Sequence, residues 1–139
     1  MLGVLLISHG NMAEGMVDSL SMFFGKDIKQ LDFLSLKPEM GADEFGEKLR
    51  EKVNALNDGD GVLIMADMLG GTPCNQALQV INENVDLIVG MNLPTAMELL
   101  AAREAGKVDV ANLVESAKNS FIDAKAMFMN TSSDDVDDD

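Results

Sequence analysis

The 139-residue chain has no tryptophan, no tyrosine, one cysteine and one histidine. Because Cys74 stands alone, no internal disulfide can form, which is typical of proteins in a reducing compartment. One histidine and one cysteine supply too few ligands for a zinc site. The aromatic residues are six Phe, and the absence of Trp and Tyr weakens a flavin or single-stranded nucleic-acid function, since both commonly use aromatic stacking. These absences argue against a zinc site and weaken both of the stacking functions.

A signal peptide and long hydrophobic runs are absent as well. The first ten residues, MLGVLLISHG, lack the basic region and the small-residue cleavage site of a secretory signal. No apolar run approaches the ~20 residues that a membrane span requires. We therefore predict a cytoplasmic protein.

Basic residues are scarce, since 10 Lys and Arg stand against 24 Asp and Glu, for a net charge of −14. Five of the acids lie in the final TSSDDVDDD, and subtracting them from −14 leaves −9 for the rest of the chain. Such a surface repels phosphates, which argues against nucleic-acid binding and favours a basic protein partner. We assign residues 1–130 to one domain and predict that residues 131–139 form a disordered acidic tail.

Four apolar runs separated by helical patterns indicate an α/β fold. The predicted strands are Leu2–Ser8, Ile28–Leu36, Gly61–Met68 and Val85–Met91. Three of these runs are almost continuously apolar, as parallel strands are when helices cover both faces. The alternation predicts a doubly wound, mainly parallel sheet with strand order 2-1-3-4 and helices on both faces.

Two of the predicted helices begin close to strand ends. In NMAEGMVDSLSMFFG, Asn11 and Glu14 have the spacing of a capping box. The predicted buried face of that helix carries Met12, Met16, Leu20 and Phe23 or Phe24. In TPCNQALQVINEN, we expect Thr72 to be the N-cap and Pro73 to be the first helical residue.

The single histidine falls where ligands bind in such a fold. Ligands of open α/β sheets lie outside the carboxyl ends of the strands, where the strand order reverses. The end of the first predicted strand carries Ser8, His9 and Gly10, and the end of the third carries Asp67. A carboxylate on one imidazole nitrogen leaves the other nitrogen as a nucleophile. We therefore predict that His9 and Asp67 form a pair at this crevice.

A glycine-rich loop, Gly70-Gly71-Thr72, follows Asp67 and leads into a helix start. Glycines allow close backbone approach, and the first N–H groups of a helix suit an anion. The helix start after Gly10 offers a second positive dipole end. A nucleophilic imidazole among such donors indicates a histidine that carries phosphate.

Other phosphate chemistries fit the residues less well. No GxxxxGK[ST] P-loop is present. A receiver domain would need acidic residues after the first strand, where the chain has Ser8 and His9. A histidine phosphatase would need an Arg-His-Gly motif and a second histidine, and this chain has Ser-His-Gly and no other histidine.

The chain resembles the mannose-family IIA component of the bacterial sugar phosphotransferase system over about residues 2–128. The resemblance rests on three motifs in the family's order and spacing, GVLLISHGNMAEG, DGVLIMADMLGGTPCNQA and IVGMNLPTAMEL. It implies that His9 is phosphorylated by the small carrier HPr and passes the phosphoryl group to a IIB component. The membrane IIC and IID components then take part only indirectly, and no cofactor or metal is expected.

The resemblance also implies roles for the other site residues. Asp67 matches the aspartate that hydrogen-bonds the histidine, and Gly70–Thr72 matches the segment that lines the phosphate. The loop of Asn92, Leu93 and Pro94 matches a partner-contacting rim of the site. The family commonly has Met after Asn-Leu-Pro, where this chain has Thr95.

Two alternative functions stay open. The phosphoryl-carrying subunit of dihydroxyacetone kinase shares the fold and the histidine but typically lacks a GGTP-type loop. A regulatory binding module that senses phosphorylation state without carrying sugar flux is the second alternative. Phosphorylation by HPr would separate that module from the carrier.

The C-terminal stretch Ser120–Met129, SFIDAKAMFM, has two interpretations. Ile122, Ala124 and Ala126 alternate with Asp123 and Lys125, as in a half-buried edge strand. Phe121, Ala124 and Phe128 have helical spacing instead. The resemblance favours a strand exchanged between the subunits of a homodimer, where it would cover an open sheet edge.

Overall fold

The computed structural model describes residues 1–129 as a four-stranded parallel sheet with helices on both faces. The sheet order is β2-β1-β3-β4, which confirms the predicted order. The elements in chain order are β1 (Gly3–His9), α1 (Met12–Phe24), β2 (Leu31–Leu36), α2 (Ala42–Leu56), β3 (Val62–Ala66), α3 (Gly71–Leu78), β4 (Val85–Val89), α4 (Leu93–Glu104) and α5 (Val110–Lys118). Within the described range, none of these helices is long and apolar enough to cross a membrane. The predicted acidic tail, residues 131–139, lies outside the described residues.

The central strands β1 and β3 are buried along almost their whole length, as their continuous apolar runs predict. Alternate side chains of β1 enter two separate cores. Leu5 and Ile7 pack with α2 and α3 on one face, and Val4 and Leu6 pack with α1, α4 and α5 on the other. Burial on both faces fixes the register of the sheet, because a one-residue slip would exchange the two cores.

Three strands are shorter than their predicted apolar runs. β2 begins at Leu31 rather than Ile28, since Gln30 has a φ of 53° and leaves the extended region. β3 ends at Ala66, and the carboxylate of the next residue, Asp67, accepts a hydrogen bond from the His9 amide. β4 ends at Val89 because Gly90 has a φ of 108°.

The face that α1 buries differs from the predicted one. Ala13 and Leu20 are buried, and Met16 and Val17 pack against the same core, whereas Met12 and Phe23 are exposed. A strict four-residue repeat drifts by about 40° per step on a helix of 3.6 residues per turn, so its ends leave the core-facing stripe. The observed stripe follows the spacing 13, 16, 17 and 20 instead.

Residues 124–129 are helical, so the strand predicted over Ser120–Met129 is wrong for this chain and its helical alternative holds. Asp123 explains the helix, because its side chain accepts a hydrogen bond from the Ala126 amide at 3.0 Å. This is the geometry of an N-cap, which an aspartate followed by two good helix formers and an alanine supports. The apolar side chains Phe121, Ile122 and Phe128 of this segment are exposed.

Candidate functional site

The carboxyl ends of β1 and β3 bring the predicted pair together. His9 is the last residue of β1, and Asp67 directly follows β3. The two strands are paired in parallel up to Ile7 and Ala66, and the Asp67 amide donates to the Ile7 carbonyl at 3.2 Å. The position therefore follows from strand order and register, although the residues lie 58 positions apart in the chain.

The imidazole of His9 and the carboxylate of Asp67 are in direct contact. His9 Nδ1 lies 2.8 Å from Asp67 Oδ2, and the same oxygen accepts the His9 backbone N–H at 2.9 Å. The second oxygen, Oδ1, accepts the Met68 backbone N–H at 2.9 Å. The Asp67 side chain is only 10% exposed, whereas that of His9 is 44% exposed. The carboxylate is thus buried and fixed by backbone N–H groups, whereas the imidazole is open to solvent.

Asp67 is ionised at neutral pH. Burial raises the pKa of its carboxyl group, but the hydrogen bonds from the His9 amide and ring outweigh burial and hold the pKa below the ordinary 3.8. An ionised carboxylate accepts hydrogen bonds and cannot donate one, so Nδ1 of His9 carries the proton in this contact. In the neutral imidazole the lone pair is then on Nε2, which is the nitrogen available to attack.

The loop between β3 and α3 lies against that nitrogen. A Cβ atom on Gly71 would stand 2.7 Å from both Cε1 and Nε2 of His9, so a side chain has no room there. Gly71 also has a φ of 78°, in the region that glycine adopts without strain. The backbone at the start of α3 therefore approaches Nε2 as closely as a glycine permits.

The start of α3 differs from the predicted start. Gly70 occupies the N-cap position with no side-chain cap, and Thr72 and Pro73 lie inside the first turn. The prediction relied on the capping preference of Thr, but the turn is built by two glycines with positive φ. Because no side chain caps this helix start, its first backbone N–H groups can receive an outside acceptor such as a phosphate oxygen.

Ser8 holds the loop between β1 and α1, a role that the sequence pattern did not reveal. Its hydroxyl is buried, accepts the Ala13 amide at 2.8 Å and donates to the Gly10 carbonyl at 3.1 Å. The predicted cap, Asn11, makes no capping bond, so the capping-box prediction is wrong. Gly10 has a φ of 55°, which lets the chain turn between His9 and the helix. The available sequence signal was a serine at the end of an apolar run, directly before His9.

The predicted rim lies at the carboxyl end of β4, beside β3. Asn92 is the N-cap of α4, because its Oδ1 accepts the Thr95 amide at 3.0 Å and its Nδ2 donates to the Gly90 carbonyl at 2.9 Å. Leu93 and Pro94 form the first turn of that helix. Thr95 is buried, and its hydroxyl has no hydrogen-bond partner among the described residues.

Exposed apolar side chains also belong to the loops around His9. Met68 and Leu69 lie between Asp67 and the glycine pair, and Leu69 is 74% exposed. Met12, at the start of α1, is exposed as well. The sequence pattern placed Met12 on the buried face of its helix and Met68 in the third strand, so their exposure is a correction. Two apolar residues beside a glycine-rich loop were a usable signal of contact surface.

Metal-ligating side chains do not gather at this site. Within residues 1–129, no three His, Cys, Asp or Glu side chains lie close enough together to hold a metal ion. Cys74 is buried in α3 and does not take part in the His9–Asp67 contact.

Comparison with known proteins gives one consistent result. The EIIA-man family, described as "PTS system fructose IIA component", matches residues 3–118. The PTS system fructose-specific EIIA component of Bacillus subtilis is 31% identical over 125 residues, covering 87% of this chain and 85% of that protein. The PTS system mannose-specific EIIAB component of Escherichia coli K12 is 28% identical over 105 residues, covering 74% of this chain and 32% of that longer protein.

A solved structure agrees with the sequence relatives. The PTS IIA protein associated with the fucose utilization operon from Streptococcus pneumoniae superposes with a TM-score of 0.84 at 31% identity. The superposition covers 91% of this chain and 95% of that one. The family match over most of the chain, the Bacillus relative of similar length and this shared fold together show that the chain belongs to the EIIA-man family of sugar phosphotransferase system IIA components.

Proposed function

We propose that this IIA component carries a phosphoryl group on Nε2 of His9, receiving it from phospho-HPr and passing it to a IIB component. The observation that carries the proposal is the contact of His9 Nδ1 with Asp67 Oδ2 at 2.8 Å. This contact leaves Nε2 with the lone pair and directs it to the uncapped start of α3. Gly10, Gly70, Gly71 and Thr72 then line the phosphoryl group.

The transfer exchanges one P–N bond for another. The lone pair of His9 Nε2 attacks the phosphorus of the donor phosphohistidine, and the P–N bond to the donor breaks. The electron pair of that bond returns to the donor imidazole. Positive charge develops on the His9 ring, and the Asp67 carboxylate stabilises it through the charge-assisted bond at Nδ1. Transfer to the IIB component is the same exchange in the opposite sense.

The surface around His9 fits brief contact with two protein partners. The imidazole is accessible, and the exposed Met12, Met68 and Leu69 offer apolar contact area beside it. Asn92, Leu93 and Pro94 complete this rim on the β4 side. IIC and IID components take part only through IIB, and a carrier supplied by HPr works in the cytoplasm, the location that we propose.

A relay assay tests this function. The chain is incubated with phosphoenolpyruvate, Mg²⁺, enzyme I and HPr, purified, and then mixed with a mannose-family IIB component. We expect label to enter the chain only when HPr is present and then to move to IIB. Label that enters without HPr would contradict the assigned donor. Label that HPr delivers but no IIB accepts would favour the regulatory module, and label delivered onward to a dihydroxyacetone kinase would favour the kinase subunit.

Long-range charge should speed the encounter with the donor. The chain carries a net charge of −14, and a basic face on HPr would be attracted to it. We expect the association rate constant to fall by about tenfold between low and high ionic strength. Stopped-flow measurement over a salt series gives this dependence, and a rate constant that stays flat would rule out steering.

We also propose that the protein is a homodimer. The C-terminal segment exposes Phe121, Ile122 and Phe128, and β4 lies at the edge of the sheet. Apolar area of this kind marks an interaction surface. Sedimentation at micromolar concentration should give about twice the monomer mass. Truncation after Asn119 should lower the measured mass to that of the monomer. A folded monomer from both the full and the truncated chain would contradict the dimer.

A further inference from the structure

Lys37 is the one cation among the four residues that directly follow the strands of the sheet, the others being Gly10, Asp67 and Gly90. It follows β2, whose last residue, Leu36, is paired in register with His9. The Gly10 amide donates to the Leu36 carbonyl at 2.8 Å, so the two loops leave the sheet side by side. Lys37 therefore stands at the same edge of the sheet as His9.

The side chain of Lys37 is directed toward the loop that follows His9. Its Nζ donates a hydrogen bond to Oδ1 of Asn11. The side chain of Asn11 forms no helix-capping hydrogen bond. Its carbonyl oxygen instead accepts the hydrogen bond from Lys37. Asn11 is two residues after His9, which places their Cα atoms at most ~7 Å apart. The ammonium group is thus held beside the residue at which α1 begins, at the same edge of the sheet as the imidazole.

A phosphoryl group on His9 creates a concentration of negative charge at this edge. It brings a charge of about −1.5 to −2 close to the ionised Asp67, in a chain whose net charge is −14. The starts of α1 and α3 supply only partial positive charges. A full positive charge at the same edge of the sheet therefore favours the phosphorylated form.

We infer that Lys37, held by Asn11, is a positioning cation that stabilises the phosphoryl group on His9 through space. The inference rests on the proposed function. Lys37 gives and takes no proton, and the exchange of P–N bonds is unchanged. Asn11 keeps the ammonium group from folding away along the acidic surface.

Two measurements on four variants test this role. Lys37→Gln removes the charge, Lys37→Arg keeps it, and Asn11→Ala removes the tether. The matched control is Lys52→Gln, which removes a lysine charge near the start of β2, away from His9. Lys52 Nζ lies 2.9 Å from Oδ2 of Asp32 in that strand. Each variant is phosphorylated through HPr, the rate is followed at low and high salt, and the phosphoryl group is titrated by phosphorus NMR.

For Lys37→Gln we expect transfer to slow about three- to fivefold at low salt, and the difference to vanish at about 0.5 M. The second pKa of the phosphoryl group should rise by about 0.3 unit, since a nearby cation no longer favours the dianion. Lys37→Arg should match the wild type, Asn11→Ala should show part of the effect, and Lys52→Gln should show neither change.

Three results would overturn the inference. An unchanged phosphoryl pKa with slower transfer would make Lys37 a contact for HPr instead. Equal shifts in Lys37→Gln and Lys52→Gln would reduce the effect to net charge. Wild-type behaviour of Lys37→Gln would remove any role for Lys37 while the proposed function stands. If the wild type itself takes up no phosphoryl group, the proposed function fails first and this inference fails with it.

Discussion

Replacing Asp67 with Asn is expected to slow phosphoryl transfer from HPr by roughly 10²–10⁴-fold, the contribution typical of a positioned acid–base partner. The two carboxylate oxygens of Asp67 accept three hydrogen bonds, from the His9 ring, the His9 amide and the Met68 amide. An Asn side chain has one carbonyl oxygen and an NH₂ group, so at least one of these donors would face another donor. The charge that stabilises the imidazolium is lost as well. Rapid-quench measurement of transfer gives the ratio.

The pH dependence of stability provides a control for Asp67→Asn. The folded state holds the pKa of Asp67 below 3.8, so ionisation stabilises the fold above that value. The stability that this ionisation contributes to the wild type, and that Asp67→Asn lacks, should therefore be present above pH 3.8. It should then shrink as the pH falls below 3.8, as measured by urea unfolding. Wild-type transfer rates in a folded Asp67→Asn protein would refute the role of this carboxylate.

Gly71→Ala is expected to reduce transfer by at least about 10²-fold, because the added methyl group would lie 2.7 Å from Cε1 and Nε2 of His9. That distance is well inside van der Waals contact, so the imidazole or the loop must move. A displacement of about 1 Å at a reacting atom is enough for such a loss. The effect should appear in the transfer rate, measured with HPr as donor.

Gly70→Ala is the matched control. Gly70 has a φ of 85° and Gly71 a φ of 78°, so both substitutions place alanine in a region that side chains rarely adopt. A Cβ on Gly70 would meet nothing within 4 Å, in contrast to one on Gly71. Both variants should lose similar stability in thermal unfolding. Gly70→Ala should lose less of its transfer rate than Gly71→Ala, because alanine keeps the backbone N–H that lines the phosphoryl group and its Cβ does not contact His9. Equal losses of activity would assign the effect to backbone strain rather than to contact with His9.

Much of the sheet could be predicted from the sequence because strands buried on both faces consist almost entirely of apolar residues. The runs that became β1 and β3 are apolar at nearly every position, and both strands are covered on both faces. The crevice followed from the strand order, since the ends of β1 and β3 carry His9 and Asp67. Their meeting needed no knowledge of side-chain conformation.

Local starts and ends were harder to predict because several residues could serve each role. Asn11 and Thr72 have good capping chemistry, yet Ser8 and the glycine pair determine the two helix starts. The choice depends on which side chain the tertiary structure turns toward the free amides, and one sequence does not show this. The same holds for residues 124–129, where a cap at Asp123 favours a helix over an alternating strand.

The contacts that tune His9 were also invisible in the sequence. Two contacts join residues of different loops: the close approach of Gly71 to the His9 ring, and the hydrogen bond from Lys37 to Asn11. Which residues meet in these contacts depends on strand register and loop conformation. A glycine-rich motif indicates close approach to something, but only the structure shows that it approaches the imidazole.

The most direct test of the central claim is to identify the phosphorylated atom. The chain is phosphorylated with phosphoenolpyruvate, enzyme I and HPr, and the product is analysed by phosphorus and nitrogen NMR beside His9→Ala treated in the same way. We expect an acid-labile, base-stable phosphoryl group on Nε2 of His9 and no label in His9→Ala. Label on Nδ1, or unchanged label in His9→Ala, would contradict the claim.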